Sequence, residues 1–156
     1  MNLVKNPNNW SCLLASVAMV LDKSIEELVG AVGHDGSDIV FPHLPEPGKR
    51  RGFHIQEFIS VILKSGFAMT PIEVLPYSTP DGKHEFPVDF PNHEERFWNL
   101  MYNSVGILTG LRTRWRHAVA WNGKRIYDPL GSVYSHHDIQ NFRIDVFYRF
   151  DQIKSL

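Results

Sequence analysis

His117 to Pro129 reads HAVAWNGKRIYDP, and the fold turns on that stretch. Asn122-Gly123 is the strongest short hairpin signal, favouring a two-residue type I′ turn between two strands. Counting outward pairs Trp121 with Lys124, Ala120 with Arg125, Val119 with Ile126, Ala118 with Tyr127 and His117 with Asp128. Directly opposed residues share a face, with Cβ atoms about 4.5–5.5 Å apart. The turn chemistry therefore predicts a carboxylate beside an imidazole. Val119 and Ile126 make the same face apolar and hence inward. An inward His and Asp are costly there unless they bond fully to each other or have a task.

The surrounding last third is strand-like. Val105–Leu111, Arg116–Trp121, Lys124–Asp128 and Phe142–Phe150 alternate β-branched or aromatic residues with others. His136-His137 read as a solvated turn before the final strand. If one strand runs through Arg112, Thr113, Arg114, Trp115 and Arg116, its three arginines point away from the His117 face. Trp115 then shares that face and is placed to wall a cleft. Trp10 is a second cleft candidate, although Trp10 and Trp98 could equally be core aromatics.

The front half is helical. Ser11–Leu21 (SCLLASVAMVL) is apolar nearly all round, which predicts a central buried helix with Asn8, Asn9 and Ser11 as available caps. Ser24 and Glu27 form a capping box for a second helix whose stripe is Ile25, Leu28, Val29 and Val32, with Gly33 as its stop. His34–Gly52 is a long loop rich in proline and glycine, expected to fold over the cleft and set access to it. Within it Lys49-Arg50-Arg51 read as a solvated cluster. Phe53–Ser65 restores helical spacing and Gly66 ends it. Phe67–Leu75 predicts a short strand interrupted by Pro71, Pro76–Pro91 a second irregular stretch, and His93–Asn103 another helix. Helices first and an antiparallel sheet after is the α+β pattern, with no linker or repeat dividing residues 1–156.

Composition narrows the function. The 156 residues are 43% hydrophobic with ten Phe, five Tyr and four Trp, which excludes disorder and suits one self-sufficient domain. Sixteen Lys and Arg against seventeen Asp and Glu offer no electrostatic reason for a nucleic-acid or membrane partner. No apolar run reaches the length of a spanning helix, and Met1–Trp10 is not an export signal. The expectation is a soluble protein retained in a reducing cytoplasm. The eight histidines show no His-x-x-x-His spacing, so no metal is expected.

A single cysteine excludes an internal disulfide and multi-cysteine zinc frameworks. That cysteine, Cys12, stands at the start of the buried helix, where free N–H groups and the dipole favour a thiolate and receive a developing oxyanion. A nucleophile at a helix start, followed by His117 and Asp128 on one hairpin, supplies the chain order Cys, His, Asp. In that arrangement the imidazole takes the thiol proton and the carboxylate orients the ring. The bland alternatives are an inert buried thiol and a structural His–Asp pair.

These residues resemble a known family. Asn6-Pro7-Asn8-Asn9-Trp10-Ser11-Cys12, running into LLASVAMVL, is similar to the nucleophile helix of papain-like cysteine peptidases, in particular the branch containing bacterial double-glycine (bacteriocin-leader) peptidases. The pattern there is Gln-Pro-x-x-x-x-Cys-Gly-Pro before a small-residue apolar helix. HAVAW-NGK-RIYDP is similar to that branch's His strand, turn and Asp-Pro. The resemblance implies a papain-like α+β fold and a bacterial or phage-like thiol protease. Its hydrolase chemistry would use Cys12, His117 and Asp128 on a peptide or isopeptide bond, without cofactor. It also implies that Asn6, standing where the family has glutamine, joins the Cys12 N–H in the oxyanion hole. Leu13 departs from the usual glycine. Two rivals remain: an acyltransferase or amidase with the same triad, and a binding protein on an inactive peptidase scaffold.

Overall fold

Residues 1–74 and 93–154 are described by the structure, a computed structural model. Cap chemistry sets the front half. Helix α1 spans Cys12–Leu21, and Asp22 closes it in the left-handed region at φ 52°. Ser24 opens α2 (Ile25–Val32) with the expected capping box: its hydroxyl accepts from the Glu27 N–H at 3.1 Å, and the Glu27 carboxylate accepts from the Ser24 N–H at 2.8 Å. Gly33, at φ 90°, stops α2 where any side chain would be strained. The segment expected as one helix over Phe53–Ser65 is instead a 3-10 turn, Ile55–Phe58, followed by α3, Ile59–Lys64. Both pieces still turn their apolar residues inward, through Phe58 and Ile62.

Six antiparallel strands form the sheet in the order β1-β6-β2-β3-β4-β5. They are β1 Phe67–Glu73, β2 Val105–Arg112, β3 Trp115–Trp121, β4 Ile126–Asp128, β5 Ser132–Tyr134 and β6 Phe142–Gln152. Pro71 does not interrupt β1. That strand lies at the edge of the sheet, where a missing N–H costs no ladder bond. The short β5 was not expected, and β4 begins later than Lys124. The expected irregular stretch Pro76–Pro91 falls outside the described residues.

Alternation along the central strands buries both faces. Ile107, Ala118 and Phe150 pack with Leu14, Val17, Leu28 and Ile62 of the first three helices. Leu108, Val119, Trp121 and Phe147 pack with Phe97, Trp98 and Met101 of α4 (His93–Met101). The result is an α+β architecture with helices on both faces of one sheet. Register slips between Thr109 and Gly110, so Phe142 and Ile144 before the bulge and Phe147 after it all reach the α4 side. Gly110 permits this approach, because a Cβ there would stand 1.9 Å from the Arg143 carbonyl oxygen. His136 is no solvated turn residue: it begins a 3-10 turn and its ring stacks on Trp98 at 4.3 Å. Among the described residues no helix is long and apolar enough to cross a membrane.

Candidate active site

The hairpin that places Asp128 has a different register from the one its Asn-Gly pair predicts. Trp121 faces Ile126 and Ala120 faces Tyr127, leaving a four-residue connection, Asn122–Arg125. The Asn122 side chain explains the longer loop, since its Oδ1 accepts from the N–H groups of Lys124 at 3.0 Å and Arg125 at 2.8 Å. An Asx turn thus displaces the two-residue turn. The slip is two residues, and strand side chains repeat every two. His117 and Asp128 therefore keep a common face as diagonal neighbours rather than opposed ones.

They meet. His117 Nε2 lies 3.0 Å from Asp128 Oδ1, with the two side chains 7% and 1% exposed. The same Oδ1 accepts from the Leu130 N–H at 2.9 Å, while Oδ2 accepts from the Tyr134 hydroxyl at 3.0 Å and Arg112 Nη1 at 3.2 Å. Four donors thus hold one buried carboxylate. Burial pushes the Asp128 pKa up, but the His117 and Leu130 bonds and the His117 charge outweigh it and leave the carboxyl below its usual value. Burial likewise pushes His117 down. The Asp128 bond, the neighbouring Cys12 sulfur and the negative charge of Asp128 raise it instead, to about 9. Tyr134 is raised by burial and by the adjacent carboxylate, so it remains a donor.

Linkage gives this pair a pH signature. A histidine at about 9 when folded and 6.5 when unfolded holds its proton through that window only in the folded protein. Its contribution is complete below pH 6.5 and is lost as pH rises through 9. The shift corresponds to about 3 kcal/mol. Urea melts should show stability falling from pH 6.5 to 9 in the wild type and a much flatter profile in His117→Gln; parallel profiles would rule out the linkage.

Cys12 and His117 line one cleft of about 430 Å³, with Leu13, Thr109 and Tyr148. Nε2 is engaged by Asp128, so Nδ1 is the ring nitrogen left for the thiol. Cys12 opens α1, and its N–H belongs to a first turn that has no intrahelical acceptor. Both tryptophans expected at the cleft line it. The Trp10 indole donates to the Asp35 carbonyl at 3.0 Å and lies under Arg50, while Trp115 fills the space beside Gly48, where a Cβ would come within 2.5 Å of its ring. The 34–52 loop accordingly braces both tryptophans and flanks the cleft.

Asn6 stands apart from that lining. Its N–H donates to the Pro129 carbonyl at 2.9 Å, tying the chain before α1 to the residue after Asp128. Its Oδ1 is buried without a hydrogen-bond partner among the described residues.

Arg112 and Tyr134 are the site residues that sequence reading missed. A turn at Thr113-Arg114, with Thr113 at φ 56°, breaks the strand once expected through all three arginines. Arg112 therefore opposes Trp115 and shares the His117 face, where it reaches Asp128. Arg114 lies over the Trp115 ring at 5.3 Å, and Arg116 pairs with Asp145. The threonine offered no glycine-like turn signal to expose this. No protein-family model matches the chain, and no curated protein matches it significantly.

Proposed function

We propose that this protein is a thiol-dependent hydrolase of papain-like fold that cleaves a peptide or isopeptide bond through Cys12, His117 and Asp128. The observation that carries the reading is one cleft uniting a helix-start cysteine with a buried, carboxylate-bound imidazole whose pKa is raised. The Cys12 thiolate attacks the carbonyl carbon, and the oxyanion forms against the Cys12 N–H. His117 Nδ1–H gives its proton to the leaving amine, whose C–N bond breaks to leave a thioester. His117 then takes a proton from water as the water oxygen adds to the thioester carbonyl. The acid departs, the thiolate returns and His117 is again protonated. Asp128 stays ionised and holds the ring. A free thiol nucleophile suits a reducing cytoplasm.

A second reading rests on Asn6 and Leu13. Asn6 lies outside the cleft lining and Leu13 within it, as a scaffold retained for binding alone would allow. An amine acceptor in place of water would make the enzyme a transferase with the same first half-reaction. Incubation with a proteome-derived peptide library, followed by mass spectrometry, tests the proposal. Hydroxylamine-labile acyl adducts on Cys12 and new peptide termini are expected, both lost in Cys12→Ala. A library left intact, with no adduct, favours the binding reading.

A further inference from the structure

The described wall of the cleft presents cationic side chains. Among the described residues its lining includes Arg50, Arg51, Arg116 and His117, and no Asp or Glu. The carboxylates that pair with these arginines (Glu46, Glu57, Asp38 and Asp145) all lie outside that lining. Arg50 is committed: Nε meets Glu46 at 2.9 Å, Nη1 donates to the Ser37 carbonyl at 2.8 Å, and the guanidinium covers Trp10. Arg51 and Arg116 are not. Arg51 reaches Glu57 through Nη2 at 3.2 Å, and Arg116 engages Asp145 once through each Nη. A guanidinium has five N–H donors, so both keep several for a ligand. Their side chains are 46% and 59% exposed.

We propose that the cleft selects acyl donors bearing a carboxylate beside the scissile bond, such as peptides with Asp or Glu at that position, and that Arg51 and Arg116 receive it. The inference rests on the thiol-hydrolase reading. Each cation is already ion-paired, so the wall receives a carboxylate through the guanidinium N–H donors left free rather than through net charge. A basic side chain placed there would meet both guanidinium groups and the His117 imidazolium, whereas an acidic one finds bidentate donors.

Iodoacetate and iodoacetamide test this, because they differ only by a carboxylate against an amide next to the same electrophilic carbon. At pH 6.5 and low salt, iodoacetate should alkylate Cys12 on the order of tenfold faster than iodoacetamide. Arg51→Gln/Arg116→Gln should lower that ratio at least threefold. Both proteins keep His117, so the fall isolates the arginines. Exposed ion pairs contribute little to stability, and the two single variants, each expected to lower the ratio in part, serve if the double variant melts early. A ratio unchanged by the arginine substitutions overturns the inference, as does a wild-type ratio no higher than that of free cysteine. Rapid, His117-dependent iodoacetamide labelling in either case leaves the hydrolase reading standing. Slow labelling by both reagents, indifferent to His117→Ala, overturns both.

Discussion

His117→Ala should slow alkylation of Cys12 by iodoacetamide at pH 6 by about tenfold. The nucleophile is the thiolate, and an ordinary thiol of pKa near 8.5 is about 0.3% ionised at that pH. In the folded protein an imidazole with a pKa of about 9 shares one cleft with the sulfur, and in the proposed mechanism it takes the thiol proton. A stabilised thiolate is intrinsically less nucleophilic, which trims the full ionisation advantage of about three hundredfold to about tenfold. The wild-type rate should accordingly be nearly level between pH 6 and 8, whereas the variant's should rise about tenfold per pH unit. Stopped-flow alkylation with peptide mapping reads both slopes. Equal rates and equal slopes would mean that ring and sulfur do not share a proton, and the binding reading would then prevail.

Asp128→Asn should cost about tenfold in acyl transfer and about 3–5 kcal/mol in stability. The two losses have different origins. The catalytic loss follows from the His117 bond, since an amide oxygen can still accept from Nε2–H but no longer steadies the imidazolium by charge. The stability loss follows from the other donors. One amide oxygen cannot serve the Leu130 N–H, Tyr134 hydroxyl, Arg112 guanidinium and His117 ring that now share two carboxylate oxygens. For a chain of this length the melting temperature should drop by about 10 °C. Tyr134→Phe separates the effects: it removes one donor at about 1 kcal/mol while leaving the His117 bond in place. Calorimetry at pH 7 with acyl-adduct kinetics checks both. An Asp128→Asn protein with unaltered adduct kinetics would reduce the carboxylate to a packing element.

Much of the site was legible because parity outlasts an error in register. The Asn122-Gly123 signal misled about loop length, as the Asn122 side chain caps the following N–H groups and lengthens the turn. His117 and Asp128 still share a face, since the slip is an even number of residues. Arg112 had no such protection. Its face depends on whether the chain turns at Thr113, and a β-branched residue at φ 56° gives no local hint of turning. The Trp115–Gly48 and Trp10–Arg50 contacts were equally hidden, because they join the 34–52 loop to segments distant in sequence.

Local chemistry in the chain by itself determined the buried α1 with Cys12 at its head, the Ser24 cap, the α+β order and the common face of His117 and Asp128. Each of these depends on residues a few positions apart, through capping, helical spacing or strand alternation. Only the tertiary structure decided that β1 is an edge that admits Pro71, and that Arg112 and Tyr134 complete the Asp128 cage. It alone also set the loop that flanks the cleft and brought Cys12 to a ring more than a hundred residues away. Those outcomes come from the order of strands and from side chains that meet only when both faces of the sheet are covered, which no short window of sequence encodes.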